Sequence, residues 1–167
     1  MYDKITEKDV KRMEEEIEHR KLVVRKEAIK DVQEARAHGD LSENFEYKAA
    51  KQFKNQNESR IRYLERMLRT AKIIPEDSNE DEAGLNKLLT VYIPEDDEEM
   101  TFKIVTTVRG NSIKGLISID SPLGMAVLRH KVGDTVSVKV NDNYIYDVTI
   151  RNIVSVEDDG TDELRKH

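Results

Sequence analysis

Apolar residues along the chain fall into two regimes, a helical one up to about residue 74 and an alternating one from about residue 88. In the first, Val10, Met13, Ile17, Val24, Ala28, Val32 and Ala35 recur mostly at steps of three, four or seven, which places one apolar stripe on a long helix. Thr6, with Asp9 three residues on, suits the start of that helix. Roughly 32 residues at about 1.5 Å each make a rod of about 48 Å. A second stripe steps by threes and fours through Tyr47, Ala50, Lys54, Asn57, Ile61, Leu64, Leu68 and Ala71. The short connection between the stripes makes the two helices antiparallel, so residues 1–74 are predicted to form a coiled-coil hairpin. Lys54 and Asn57 interrupt the second stripe toward the tip and are expected to set its register.

Pro75 stops the second helix, and residues 75–84 form an acidic linker. Beyond it Leu89–Ile93, Thr101–Val108, Leu116–Ile119, Thr135–Val140 and Tyr144–Ile153 read as strands. Asn141-Asp142-Asn143 supplies a hairpin turn between the last two. Ser121 caps, and Pro122 opens, one short helix that ends near Leu128. The fold class is therefore α+β: a helical hairpin, then a small antiparallel β-domain over residues 85–156 carrying one helix. The charged tail, 157–167, is expected to be disordered.

Charge sharpens the division between the halves. Residues 1–74 carry 18 Lys and Arg against 15 Asp and Glu, whereas residues 75–167 carry 10 against 19. The first half is the plausible neighbour of nucleic acid, yet it is too mildly basic to hold duplex DNA by charge alone. With no cysteine there is no disulfide and no thiolate metal site. No apolar run has the length of a membrane span and no signal-peptide core opens the chain, so a cytoplasmic location is expected.

Candidate chemistry is sparse. No glycine-rich phosphate loop, zinc-type ligand pairing or Ser/His/Asp grouping is present, and His19, His38, His130 and His167 are scattered and read as surface residues. What stands out is the turn of the hairpin, His38-Gly39-Asp40-Leu41-Ser42-Glu43-Asn44-Phe45-Glu46-Tyr47. Gly39 can take the positive φ that ends a helix. Asp40 and Glu43 then have two readings. They are a capping box for the second helix, or they are a carboxylate pair carried at the tip of a rod into another molecule's site. Magnesium accepts one or two protein carboxylates and fills the rest of its octahedron with water or phosphate, so such a pair could complete an ion's shell but would hold it poorly alone.

The run Glu34-Ala35-Arg36-Ala37-His38-Gly39-Asp40-Leu41-Ser42-Glu43-Asn44, followed by Glu46-Tyr47 and Ala49-Ala50, resembles the bacterial Gre transcript cleavage factors, the GreA branch in particular. Ile117-Ser118-Ile119-Asp120-Ser121-Pro122 and Lys131-Val132-Gly133-Asp134 extend the likeness into the second half, so that it covers about residues 6–156. The resemblance implies a hairpin that enters the secondary channel of RNA polymerase and an FKBP-like C-terminal domain that docks at its rim. It implies that Asp40 and Glu43 share a Mg²⁺ with the polymerase and assist its own cleavage of backtracked RNA, making the protein an accessory factor and not itself the nuclease. It further implies RNA contacts from Arg36, Lys51 and Tyr47, docking through Ser121 and Pro122, no metal held stably by the isolated chain, and a monomer. The chain departs from the family pattern in places: Phe45 replaces a small residue, putting an aromatic ring where it could alter how the tip fits or stack on a base, Met125 and Arg129 replace a basic residue and a glycine around the short helix, and Asn141-Asp142-Asn143 replaces a glycine-rich hairpin.

One other function fits the same chain, and a second fits it poorly. A channel-binding regulator of this fold would inhibit synthesis without stimulating cleavage, and its tip pair would be indifferent. A prolyl isomerase would need a lined proline pocket, whereas the second half offers one Phe, three Tyr and no Trp.

Overall fold

A computed structural model describes residues 3–39, 44–156 and 163–166. The chain divides into two compact units, one built mainly from Lys8–Lys72 and the other from Lys4–Glu7 with Ile73–Lys166.

In the first unit, α1 (Glu7–His19) runs through a π-turn (Arg20–Val24) into α2 (Arg25–Arg36), and α3 (Phe45–Thr70) returns. His19, Val24 and Arg25 all keep right-handed helical dihedrals, so the backbone is continuous through the wide turn. Its cause lies in the seam. Arg20, Val24 and Val32 are half-buried and Ala28 is buried, a series that steps by fours. Four-residue steps drift around an α-helix, and one under-wound turn brings the series back to face α3. Across from it Tyr47, Ala50, Lys54, Asn57, Ile61, Leu64, Leu68 and Ala71 are all buried or half-buried, as the second stripe predicts.

The centre of the seam is polar. Arg60 forks onto Glu16, Nε to Oε2 at 2.8 Å and the terminal nitrogen to Oε1 at 3.2 Å, while Arg20 Nε reaches the same Oε2 at 2.6 Å. Arg20 also donates to Asn57 Oδ1 at 3.0 Å, and Asn57 Nδ2 donates back to the Arg20 carbonyl at 3.3 Å. That carbonyl is also the one that accepts the π-turn bond from Arg25 N–H. Asn57 therefore fixes register as its place in the stripe predicts, with Glu16, Arg20 and Arg60 as partners that a pattern of charged residues disguises as surface. Burial pushes the Glu16 carboxyl up, but the hydrogen bonds from Arg60 and Arg20 outweigh it and leave the group below its ordinary value.

The second unit is built on a five-stranded sheet in the order β5-β4-β3-β7-β6. Its strands are β3 (Lys87–Ile93), β4 (Glu98–Val105), β5 (Leu116–Ser118), β6 (Thr135–Asn141) and β7 (Tyr144–Ser155); the two-residue strands β1 (Lys4–Ile5) and β2 (Lys72–Ile73) lie outside this sheet. Three pairings are antiparallel, as expected, but β5 runs parallel to β4. A period-2 pattern does not encode strand direction, and the short 3-10 turns between β4 and β5 carry the chain back to start β5 in the same direction as β4. Leu89, Val91, Phe102, Ile104, Val138, Val148 and Ile150 point to one face and form the core with Leu123 and Val127 of α4 (Pro122–Val127). Asn143 N–H bonds Asn141 Oδ1 at 2.8 Å, the Asx turn expected of that hairpin.

Helix α4 sits tightly on the end of β5. A side chain at Gly124 would overlap the Ser118 carbonyl, so the helix makes backbone contact there. Arg129, just past the helix, holds φ +67°. This is the left-handed conformation that a glycine takes without strain, and here the bond from Arg129 N–H to Ala83 O at 2.9 Å pins it.

Candidate functional site

Helix α2 ends at Arg36 and Gly39 follows with φ +133°, the positive φ expected of the turn. Asp40 and Glu43, the predicted tip pair, lie outside the described residues. The start of α3 differs from the capping box that they suggest. Its cap is Asn44, whose Oδ1 accepts the Tyr47 N–H at 3.0 Å while Nδ2 donates to the Ala35 carbonyl at 2.6 Å. One amide thus caps α3 and ties it to the end of α2, which a carboxylate could not do because it has no donor. The capping role that the motif offered Asp40 is taken by Asn44.

Arg36, Tyr47 and Lys51 come together. The Arg36 guanidinium lies 5.5 Å from the Tyr47 ring centre, with a long bond of 3.4 Å to the phenol oxygen, and Lys51 Nζ is 6.0 Å from the same ring. The Arg36 hydrogen bond, aided by the Lys51 and Arg36 charges, holds the Tyr47 phenol below its ordinary value. Two cations share one aromatic ring close to the turn. His38 Nδ1 pairs with Glu46 Oε2 at 3.1 Å, which occupies the acidic residue that follows Phe45.

Sequence reasoning missed Lys48. Its Nζ stands 5.6 Å from the Phe45 ring centre, and the spacing of three on a helix was the available signal. From Lys48 an open polar face continues along α3 through Lys51, Gln52, Asn55, Gln56 and Ser59. Among the described residues, no three His, Asp or Glu side chains gather as metal ligands.

Ser121 and Pro122 lie far along the sequence from this cluster, in the second unit. Ser121 Oγ accepts from Gly124 N–H at 3.1 Å and donates to Ser118 O at 2.7 Å, and Pro122 takes the first helical position, as predicted. Around them Met125 and Ile113 are exposed. The described end of the tail, 163–166, lies against residues 110–118 beside Ser121.

Residues 4–73 match the family model described as Transcription elongation factor, N-terminal, and residues 78–163 the one described as Transcription elongation factor, GreA/GreB, C-term. The chain belongs to the GreA/GreB family. Among its relatives, Transcription elongation factor GreA of Geobacillus kaustophilus is 43% identical over 136 residues, 81% of this chain and 86% of that protein. The GreA of Bacillus subtilis is 40% identical over the same shares of both chains. The solved structure of the transcription factor Gfh1 aligns over 92% of this chain and 97% of its own at 28% identity, with a TM-score of 0.45. The protein is thus a transcription elongation factor of the GreA/GreB family, and among the described residues no helix is long and apolar enough to cross a membrane.

Proposed function

We propose that this GreA/GreB-family factor inserts its hairpin tip into the secondary channel of RNA polymerase and stimulates the polymerase's own Mg²⁺-dependent cleavage of backtracked RNA. The observation that carries the proposal is at the start of α3. Asn44 supplies the cap, so the start of α3 does not call on Asp40 and Glu43 for that role, and the carboxylate-pair reading is the one that is kept for them. Two hard carboxylate oxygen donors are the set that Mg²⁺ accepts when another molecule completes its shell, and Asp40 and Glu43 would hold it in that way. When bound, the ion supplies charge stabilisation at the attacking and leaving oxygens of phosphodiester hydrolysis. The chain's own side chains do the rest. Arg36 and Lys51, gathered over Tyr47, present positive charge to the RNA backbone, and the long helices give the reach. Ser121 and Pro122, at the start of α4, belong to the surface that docks at the channel rim. On this reading the factor is an accessory to the polymerase's active site, acts as a cytoplasmic monomer, and keeps no metal of its own.

The test is a backtracked elongation complex with 5′-labelled RNA and Mg²⁺, challenged with wild-type protein and with the Asp40→Asn/Glu43→Gln double variant. Wild type should shorten the RNA and allow it to be re-extended. The variant should lose the stimulation of cleavage while still binding polymerase, because neither an amide in place of Asp40 nor one in place of Glu43 supplies the carboxylate charge that Mg²⁺ takes. If both proteins only slow nucleotide addition, the inhibitory regulator is the correct reading.

A further inference from the structure

Phe45 is 79% exposed at the first position of α3, next to an asparagine that anchors that helix to its partner. At that exposure the ring adds little to the burial that holds the fold among the described residues. A hydrophobic staple pairs the residue before the cap with the fourth helical residue, here Glu43 and Lys48, so Phe45 stands outside that arrangement. The ring's described partner is instead the Lys48 ammonium. Phe45 also heads a stripe. Lys48, Gln52, Asn55 and Ser59 follow it at steps of three and four, so they share its side of the helix, with Lys51 and Gln56 alongside. From Tyr47 through Asn57 the helix carries three lysines and no carboxylate, in a chain whose formal charge is −6. An exposed ring with a cation at its face, continued by cations and amides, is the composition of a surface for unpaired nucleotides. The ring stacks on a base, the lysines meet phosphates, and the amides serve either edge of a base.

We infer that Phe45 is a stacking platform for the terminal base of single-stranded RNA, with Lys48 and Lys51 holding the adjoining phosphates. This deepens the proposed function by naming the residue that reads the base at the RNA end. Every base has a π-face, so the platform accepts all four while discriminating against an end that lacks a base.

The experiment needs no polymerase, and so it separates this inference from the cleavage proposal. Isotopically labelled full-length protein is titrated at low salt with a five-nucleotide RNA carrying either an ordinary or an abasic 3′ nucleotide, and NMR shifts are followed at the Phe45 ring, Lys48, Lys51 and Gln52. The ordinary RNA should bind wild type about tenfold more tightly than the abasic one, the scale of one base–aromatic stack. Phe45→Ala, at an exposed position that leaves the fold intact, should bring that ratio close to one, and Phe45→Tyr should keep it. Equal affinities of wild type for the two RNAs, no binding of either, or an unchanged ratio in Phe45→Ala would each overturn the inference. A base-dependent ratio in a protein that fails to stimulate cleavage would leave Phe45 as the platform and remove only the function proposed above.

Discussion

At the centre of the hairpin seam stand Glu16, Arg20, Asn57 and Arg60, joined to each other by hydrogen bonds, whereas at the centre of the sheet unit stand Leu89, Val91, Phe102, Ile104, Val148 and Ile150, joined by contact alone. The difference follows from geometry. Two helices side by side shield only a narrow strip from water, and much of that strip is Ala28, Ala35 and Ala50, which bury little area. A sheet with a helix on one face encloses large side chains completely. The rod consequently relies on bonds that fit in one register only, and the sheet relies on burial. A forked Arg60–Glu16 pair with Asn57 bonded to a backbone carbonyl cannot slide by a turn without leaving polar groups unpaired.

The largest effect should come from the apolar side of this contrast. Phe102 is 1% exposed in the sheet core, and Phe102→Ala removes its ring and leaves a cavity. The expected loss is about 4 kcal/mol. Hydrogen exchange followed by mass spectrometry should show β3, β4 and β7 deprotected, with α3 less affected. Equal deprotection of α3 and the sheet would mean that the two units share one core, and the contrast would fail.

A smaller effect is expected in the rod. The Arg60 side chain is only 8% exposed, and Glu16→Gln takes the charge from its carboxylate partner. Hydrogen bonds to charged groups suggest a loss of about 2 kcal/mol. Acid should do the same to the wild type. Because the folded-state value of Glu16 lies below the ordinary one, its contribution is fully present above the unfolded value of about 4.3 and is lost as the pH falls through the lower folded value. Thermal melts of the helical signal between pH 6 and pH 3 should therefore fall more steeply for wild type than for Glu16→Gln. Parallel curves would show that the fork does not hold the rod.

Most of the fold was legible because burial follows periodicity. The second stripe, Tyr47 to Ala71, is buried or half-buried at every predicted position, and Ser121 with Pro122 starts α4 as composition suggests. Three features were hidden for distinct reasons. Charged residues at seam positions look like surface, so Glu16, Arg20 and Arg60 gave no apolar signal. The direction of β5 is set by pairing across the sheet and leaves no trace in its own residues. At the tip, Asp40 and Glu43 match a capping box so well that they drew attention from Asn44, the residue that does the capping. Of the candidate site, Arg36, Tyr47 and Lys51 do gather as neighbours, while Lys48 was overlooked because a single lysine on a charged helix carries no pattern.

Asn44 supports the smallest predicted change in stability, and it tests whether polar tying extends from the seam to the tip. Its side chain does two jobs, accepting from Tyr47 N–H to cap α3 and donating to Ala35 O to tie the two helices together. Asn44→Ala loses both, and a lost cap costs about 1 kcal/mol. Asn44→Asp separates the two jobs, since a carboxylate still caps but has no donor for the Ala35 carbonyl. If the cap alone matters, the aspartate variant should melt like wild type and the alanine variant below it. If the tie matters to function, both variants should lose cleavage stimulation, because each leaves the start of α3, and with it Phe45 and the Arg36–Tyr47–Lys51 cluster, free to shift against α2. Full stimulation by Asn44→Asp would confine the polar tying to the seam and leave the tip positioned by the backbone alone.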